Sequence, residues 1–140
     1  MAGRLLLEIV TPERLILSQQ VDEVVVPGME GEFGVLPGHC HFLSLLKIGE
    51  LRYRVGDRTH FVSILSGMVE VVPDRVTILA EIAEKAEEID VERAQEAVER
   101  ALKRLERGGL PSEVKEAQIS LEKARLRQKI AARHRPTTHA

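Results

Sequence analysis

Between Leu5 and about Ala80 the apolar positions come in short β-branched runs broken by turn residues; beyond Glu81 they recur at helical spacing instead. The first region predicts strands at Leu5–Val10, Val24–Val26, Leu51–Val55, His60–Leu65, Met68–Val72 and Val76–Leu79. Val55-Gly56-Asp57-Arg58, Ser66-Gly67 and Pro73-Asp74-Arg75 separate the later ones. Short strands at this spacing suggest a β-sandwich or a flattened barrel. Strict alternation in Glu50-Leu51-Arg52-Tyr53-Arg54-Val55 puts Leu51, Tyr53 and Val55 on a buried face and the two arginines in solvent. The Val24–Val26 and Val69–Val72 runs alternate less well, which predicts cover on both faces.

In the second region Asp90 can cap a helix whose apolar positions are Ala94, Ala97, Val98, Ala101, Leu102 and Leu105, stopped by Gly108-Gly109. A second helix follows the Leu110-Pro111-Ser112 break, with Val114, Ala117, Leu121, Ala124 and Ala131 as a narrow, alanine-rich stripe. The short turn makes the two an antiparallel hairpin. Small alanine faces bury little area, so the hairpin is expected to be marginal alone. The fold class is therefore α+β: a β-sandwich or flattened barrel over residues 1–85, then a two-helix hairpin over 86–140 ending in a frayed tail at Pro136–Ala140.

Composition narrows the function classes. The 140 residues hold one full-sized domain, or a compact domain with a small appendage. Lysine and arginine number 20 against 22 acids, so no global field favours nucleic acid or an anionic bilayer. The basic C-terminal stripe lacks the interleaved aromatics of a single-strand binder. Cys40 is the only cysteine, which excludes an internal disulfide framework. The apolar run in MAGRLLLEIVTPERL is too short for a signal, and no later run reaches a membrane span, so a soluble, unprocessed chain is expected.

Three stretches carry candidate chemistry. VVVPGMEGEFGVLPGH, residues 24–39, has closely spaced glycines but lacks the Gly-Lys-Ser/Thr ending and following helix of a phosphate loop. Its glycines serve a compact turn presenting Met29, Glu30, Glu32 and Phe33 to a protein partner. His39-Cys40-His41 offers adjacent residues with no second ligand pair, and alternation points the histidines away from Cys40, so neither metal binding nor catalysis is expected. Arg93, Arg100, Lys123 and Arg127 can converge when the hairpin folds on itself, which suits phosphate.

With these parts in order, the chain from about Leu5 to Arg127 resembles the epsilon subunit of bacterial F-type ATP synthase. The resemblance rests on Val21-Asp22-Glu23-Val24, PGMEGEFGVLPGH, Lys47-Ile48-Gly49, Ser66-Gly67-Met68-Val69-Glu70-Val71 and Ile89-Asp90-Val91-Glu92-Arg93-Ala94. It implies a non-catalytic rotor subunit of the central stalk, on the cytoplasmic face of the bacterial inner membrane as a peripheral component of a proton-transporting complex. The sandwich would grip gamma and rest on the polar loops of the c-ring. The helical arm would either fold on the sandwich or extend into the alpha/beta head and block ATP hydrolysis. By the same resemblance Glu30, Gly31, Glu32 and Phe33 lie near the c-ring loops, and His39 and Ser44 near gamma. In some members the folded arm binds ATP as a regulatory ligand, and no cofactor is required. The matching positions are Ile89, Asp90, Arg93 and Ala94 in the motif, with Glu84, Arg100 and Arg127 by spacing. Lys123 departs from the arginine of the tighter binders, which removes a bidentate contact. The alternative is a free-standing binding module whose arm folds on nucleotide.

Overall fold

A computed structural model describes residues 3–38 and 41–134. His39, Cys40 and the tail expected at Pro136–Ala140 lie outside the described residues. Eight strands come first: β1 Leu5–Val10, β2 Leu15–Val21, β3 Glu23–Gly28, β4 Gly31–Val35, β5 Phe42–Leu46, β6 Gly49–Val55, β7 Arg58–Val72 and β8 Arg75–Lys85. A 3-10 turn at Ala86–Glu88 leads to α1, Val91–Arg107, and α2, Pro111–His134. Contacts divide the chain into two compact units, one ending at Lys85 and the other beginning at Ala86. No helix among the described residues is long and apolar enough to cross a membrane.

In the first unit the strands are ordered β2-β1-β8-β7-β5-β3-β4, with β6 pairing both β3 and β7. The sheet is mixed, because β1 runs parallel to β8 while its neighbours are antiparallel. Two layers arise from the length of β7. Its first half pairs with β6, from Arg58 opposite Val55 to Ile64 opposite Gly49, and its second half with β5, from Gly67 opposite Leu46 to Val71 opposite Phe42. Between the halves Ser66 and Gly67 have φ of 61° and 141°, and a Cβ on Gly67 would collide with the backbone of Leu79 and Ala80. Ser66-Gly67 therefore bends one strand where the sequence suggested two separate ones.

The inward positions close a core of leucine, isoleucine and valine, among them Leu5, Leu7, Ile9, Val24, Leu51, Ile64 and Ile78. The two valine runs are corrected: Val24 and Val26 are fully buried and Val25 half-exposed, and Val69 and Val71 are buried beside exposed Glu70. Both strands thus bury one face, as a two-layer sandwich requires, and valine simply occupies outward positions as well. Leu51 and Tyr53 face inward as the alternation predicts. The intervening arginines are half-buried in ion pairs: Arg52 with Glu32 at 3.0 Å, Arg54 with Glu23 at 3.7 Å and Asp22 at 3.8 Å.

In the second unit the Asp90 side chain accepts from the Arg93 backbone N–H at 3.1 Å and caps α1. Gly108, at φ 71°, ends α1 with its N–H on the carbonyls of Arg104 and Leu105. Pro111 occupies the first position of α2, where its missing N–H costs nothing, and Glu113 accepts from the Leu110 N–H at 2.9 Å. Gln128 donates to Gln95, and Arg104 lies 3.6 Å from Glu116, so the helices are antiparallel. Ala94, Val98 and Ala101 of α1 and Ala117, Ala124, Ile130 and Ala131 of α2 are buried. Leu102 is instead exposed, while Ala97, Leu105, Val114 and Leu121 are half-buried. The helical period placed these residues within the broad apolar arc but did not locate its narrow centre.

Candidate functional site

The glycine-rich stretch is a strand pair with a tip of two residues. β3 and β4 pair from Val24–Val35 to Gly28–Gly31, which leaves Met29 and Glu30 as the turn. Gly31 has φ 141°, and a Cβ on Gly28 would stand 2.8 Å from both the Gly31 carbonyl oxygen and the Phe33 ring. The glycines thus serve close strand approach and a tight reversal. Glu32 and Phe33, expected on a loop, belong to strand β4. Phe33 is half-buried and tilted against Phe42 with ring centroids 5.1 Å apart.

An open cleft of about 620 Å³ lies beside this hairpin, lined by Met29, Glu30, Phe33, Phe42, Ser44 and Leu45 among others. Ser44 is half-buried, its hydroxyl donating to the Leu45 carbonyl at 3.2 Å, and it pairs with the core residue Val69. The exposed side chains of β5 are Leu43 and Leu45 on either side of it. Sequence reasoning missed this strand, and with it both leucines. FLSLL has one small residue among four large apolar ones, so no alternation marks the strand.

The carboxylates of the hairpin differ in their surroundings. Glu30 is exposed at the tip. Glu32 is held in a two-pronged contact by Arg52, at 3.0 and 3.2 Å, whose second carboxylate is Glu50 at 3.5 Å. Hydrogen bonding to Glu32, reinforced by the charges of Glu32 and Glu50, raises the Arg52 pKa above its usual value. Asp22 shifts downward: the Gly56 N–H at 2.6 Å is the main cause, opposed next by desolvation and aided by the lesser effects of the Arg4 and Arg54 charges.

The nucleotide candidates divide between the units. Glu84 lies on β8 of the sandwich, its backbone carbonyl accepting from the Ser63 hydroxyl at 3.5 Å. Ile89 and Ala94 are buried, so they serve packing, and Asp90 serves as the cap. Arg93, Arg100 and Arg104 are spaced seven and eleven residues from the first, on one stripe of α1; Glu116, Lys123 and Arg127 repeat that spacing on α2. The Arg104–Glu116 contact fixes the two stripes on the same side of the hairpin. Gln95 and Gln128 join across the opposite side. By spacing, Arg93, Arg100, Lys123 and Arg127 fall on the two stripes that the Arg104–Glu116 contact joins, residue types suited to phosphate oxygens.

Comparisons with known proteins agree in both units. The family model described as ATP synthase, Delta/Epsilon chain, beta-sandwich domain matches residues 4–86, and that of its long alpha-helix domain matches 87–132. An ATP synthase epsilon chain of Syntrophobacter fumaroxidans is 56% identical over 131 residues, 94% of this chain and 98% of the relative. That of Citrifermentans bemidjiense is 48% identical over 136 residues, covering 95% and 97%. Among solved structures, a chain of the Euglena gracilis mitochondrial ATP synthase, OSCP/F1/c-ring, has TM-score 0.79 and 26% identity, with 96% of this chain and 84% of that one covered. A chain of the Tetrahymena thermophila central stalk and c-ring, at TM-score 0.61 and 14% identity over 93% and 98%, shares the fold.

Proposed function

Since the chain belongs to the ATP synthase delta/epsilon chain family and is a non-catalytic subunit of that membrane-associated complex, we propose that it is a rotor component of the central stalk of a proton-translocating, F-type enzyme. It sits on the cytoplasmic face of the bacterial inner membrane. The sandwich unit couples gamma to the polar loops of the c-ring, with Glu30, Gly31, Glu32 and Phe33 at the ring. The helical unit is a mobile brake that enters the alpha/beta head and restrains ATP hydrolysis. The observation carrying this reading is the seam of the helical hairpin, where Ala94, Ala101, Ala117, Ala124 and Ala131 bury little area per residue. Such a hairpin is readily reordered by another surface, as a two-state arm requires.

The test is ATP hydrolysis by the matching head lacking this chain, after adding back the intact chain or one ending at Glu88. Inhibition by the intact chain alone is expected. Equal inhibition by both forms would remove the brake from the helical unit, and binding by neither would overturn the rotor reading.

A second reading, ATP as a regulatory ligand of the folded hairpin, is favoured by Arg93, Arg100, Lys123 and Arg127. Asp90 belongs to the same expected set within the helical unit. Calorimetry should detect ATP binding to the intact chain and its loss in Arg93→Ala. Absence of heat for the intact chain would end this reading without touching the first.

A further inference from the structure

Among the described residues β4 ends its sheet and pairs with β3 alone. Hydrogen bonds to β3 fix its backbone, whereas the direction of its exposed side chains is left to other contacts. One such contact comes from two strands away. Register sets Arg52 of β6 opposite Val25 of β3, and Val25 opposite Gly34 of β4. Gly34 presents no side chain, so the guanidinium crosses β3 and turns to Glu32, the next outward position of β4. The strap spans two strand spacings, about 10 Å.

Two guanidinium nitrogens of Arg52 meet the two carboxylate oxygens of Glu32, at 3.0 and 3.2 Å. Glu50, whose side chain is 8% exposed, holds the same guanidinium from the β6 side at 3.5 Å. The Glu32 side chain is still 52% exposed. A carboxylate offers about four lone-pair sites, and the paired contact takes one on each oxygen, so the others remain for a second cation. With Glu30 exposed at the tip, the patch sets three carboxylates against one guanidinium and attracts positive charge. Arg54, on the same strand, gives the contrast. Its contacts to Glu23 and Asp22, at 3.7 and 3.8 Å, are single, and both acids lie at the end of β3 remote from the tip.

We propose that Arg52 is a positioning residue for the partner of the hairpin: its two-pronged hold fixes the plane of the Glu32 carboxylate, which then meets a lysine or arginine of that partner in one orientation. Within the rotor reading, on which this assignment rests, the basic group belongs to the polar loops of the c-ring. A fixed carboxylate has less freedom to lose on docking, which strengthens the contact without adding another. The sign is opposite to that of charge alone. Removing a cation from an acidic patch tightens its hold on a basic partner, whereas removing a positioning residue loosens it.

The experiment measures binding of the matching detergent-solubilised c-ring to an ATP synthase head that carries gamma and a full-length variant of this chain, with the melting temperature of each free variant alongside. Glu32→Gln and Arg52→Met should each weaken binding roughly fivefold. Combined, they should bind no worse than Glu32→Gln alone, because Arg52 acts through Glu32. Arg52→Lys keeps the charge but loses the two-pronged geometry, and should fall between the parent and Arg52→Met. Arg52→Met with Glu50→Gln leaves the net charge of the patch as in the parent, and decides the matter if Arg52→Met alone does not fold. Arg54→Met should bind like the parent.

Parent-like or tighter binding by folded Arg52→Met, or by its combination with Glu50→Gln, would overturn the positioning role while a loss in Glu32→Gln kept the ring contact in place. Losses that multiply when Glu32→Gln and Arg52→Met are combined would make Arg52 a strut of the fold and overturn its action through Glu32. Parent-like binding by Glu32→Gln would overturn the ring contact at this carboxylate and the role of Arg52 with it. Failure of the parent itself to bind the ring would overturn the ring reading of the whole hairpin.

Discussion

The sandwich and the helical hairpin are held by different quantities of buried side chain. The sandwich closes on large branched residues at zero or near-zero exposure, whereas five of the seven buried positions on α1 and α2 are alanine. Burial stabilises in proportion to apolar area, so a leucine position contributes several times what an alanine position does. The hairpin must therefore draw more of its order from caps, ion pairs and whatever surface it meets. The chain thus joins a densely packed unit to one of lower intrinsic stability.

The sharpest way to break this comparison is to separate the units. Residues 1–85 alone should keep a cooperative melt and a β-type circular dichroism spectrum, whereas residues 86–140 alone should lose most of their helical signal at 222 nm. A fully helical isolated hairpin would show that the alanine seam suffices. Within the intact chain, Ile64→Ala, a fully buried core position, should cost about 2–5 kcal/mol. That corresponds to a fall of about 10 °C or more in the main melting transition for a unit of this size.

Smaller changes sharpen the contrast. Asp90→Ala removes the α1 cap and should cost about 1 kcal/mol, felt as faster hydrogen exchange over residues 91–94 with the sandwich amides unchanged. Asp22→Asn should act in the sandwich and only in acid. Its carboxyl titrates below the ordinary 3.8 in the folded chain, chiefly through the Gly56 N–H and then Arg4 and Arg54, so its contribution is full above that value. The contribution is lost as pH falls through the lower, folded value. The variant's melting temperature should accordingly change less than the parent's on acidification below 3.8; equal slopes would assign the acid sensitivity elsewhere.

Where one face of an element is apolar and the other polar, the element was legible. Leu5–Val10 is β1 to the residue, and Asp90 and Gly108 bound α1 as their chemistry demands. β2, β4 and β5 escaped for separate reasons. In β2 a register shift opposite Ile9 and Val10 leaves Ile16 and Leu17 consecutive and both buried, which breaks the period of two. In β4 two of five residues are glycine, and in β5 the outward positions are leucines, so hydropathy separates no face. The acidic hairpin tip and the basic side chains of α1 and α2 were visible as residue types. The Arg52–Glu32 contact was not, because the two residues lie on β6 and β4 and no short window of sequence contains both.

Local chemistry, then, was enough to specify a strand-rich region followed by two capped helices, because turn propensity, capping and side-chain period act over a few residues. Tertiary structure decided what distant residues do together. The bend at Ser66-Gly67 lets one strand serve two layers, since only glycine tolerates the backbone of Leu79 and Ala80 so close. Pairing registers across β6, β3 and β4 set Arg52, Val25 and Gly34 in one row, from which Arg52 reaches Glu32. Those registers follow from closing a common core, a condition on the whole sandwich that no single strand expresses.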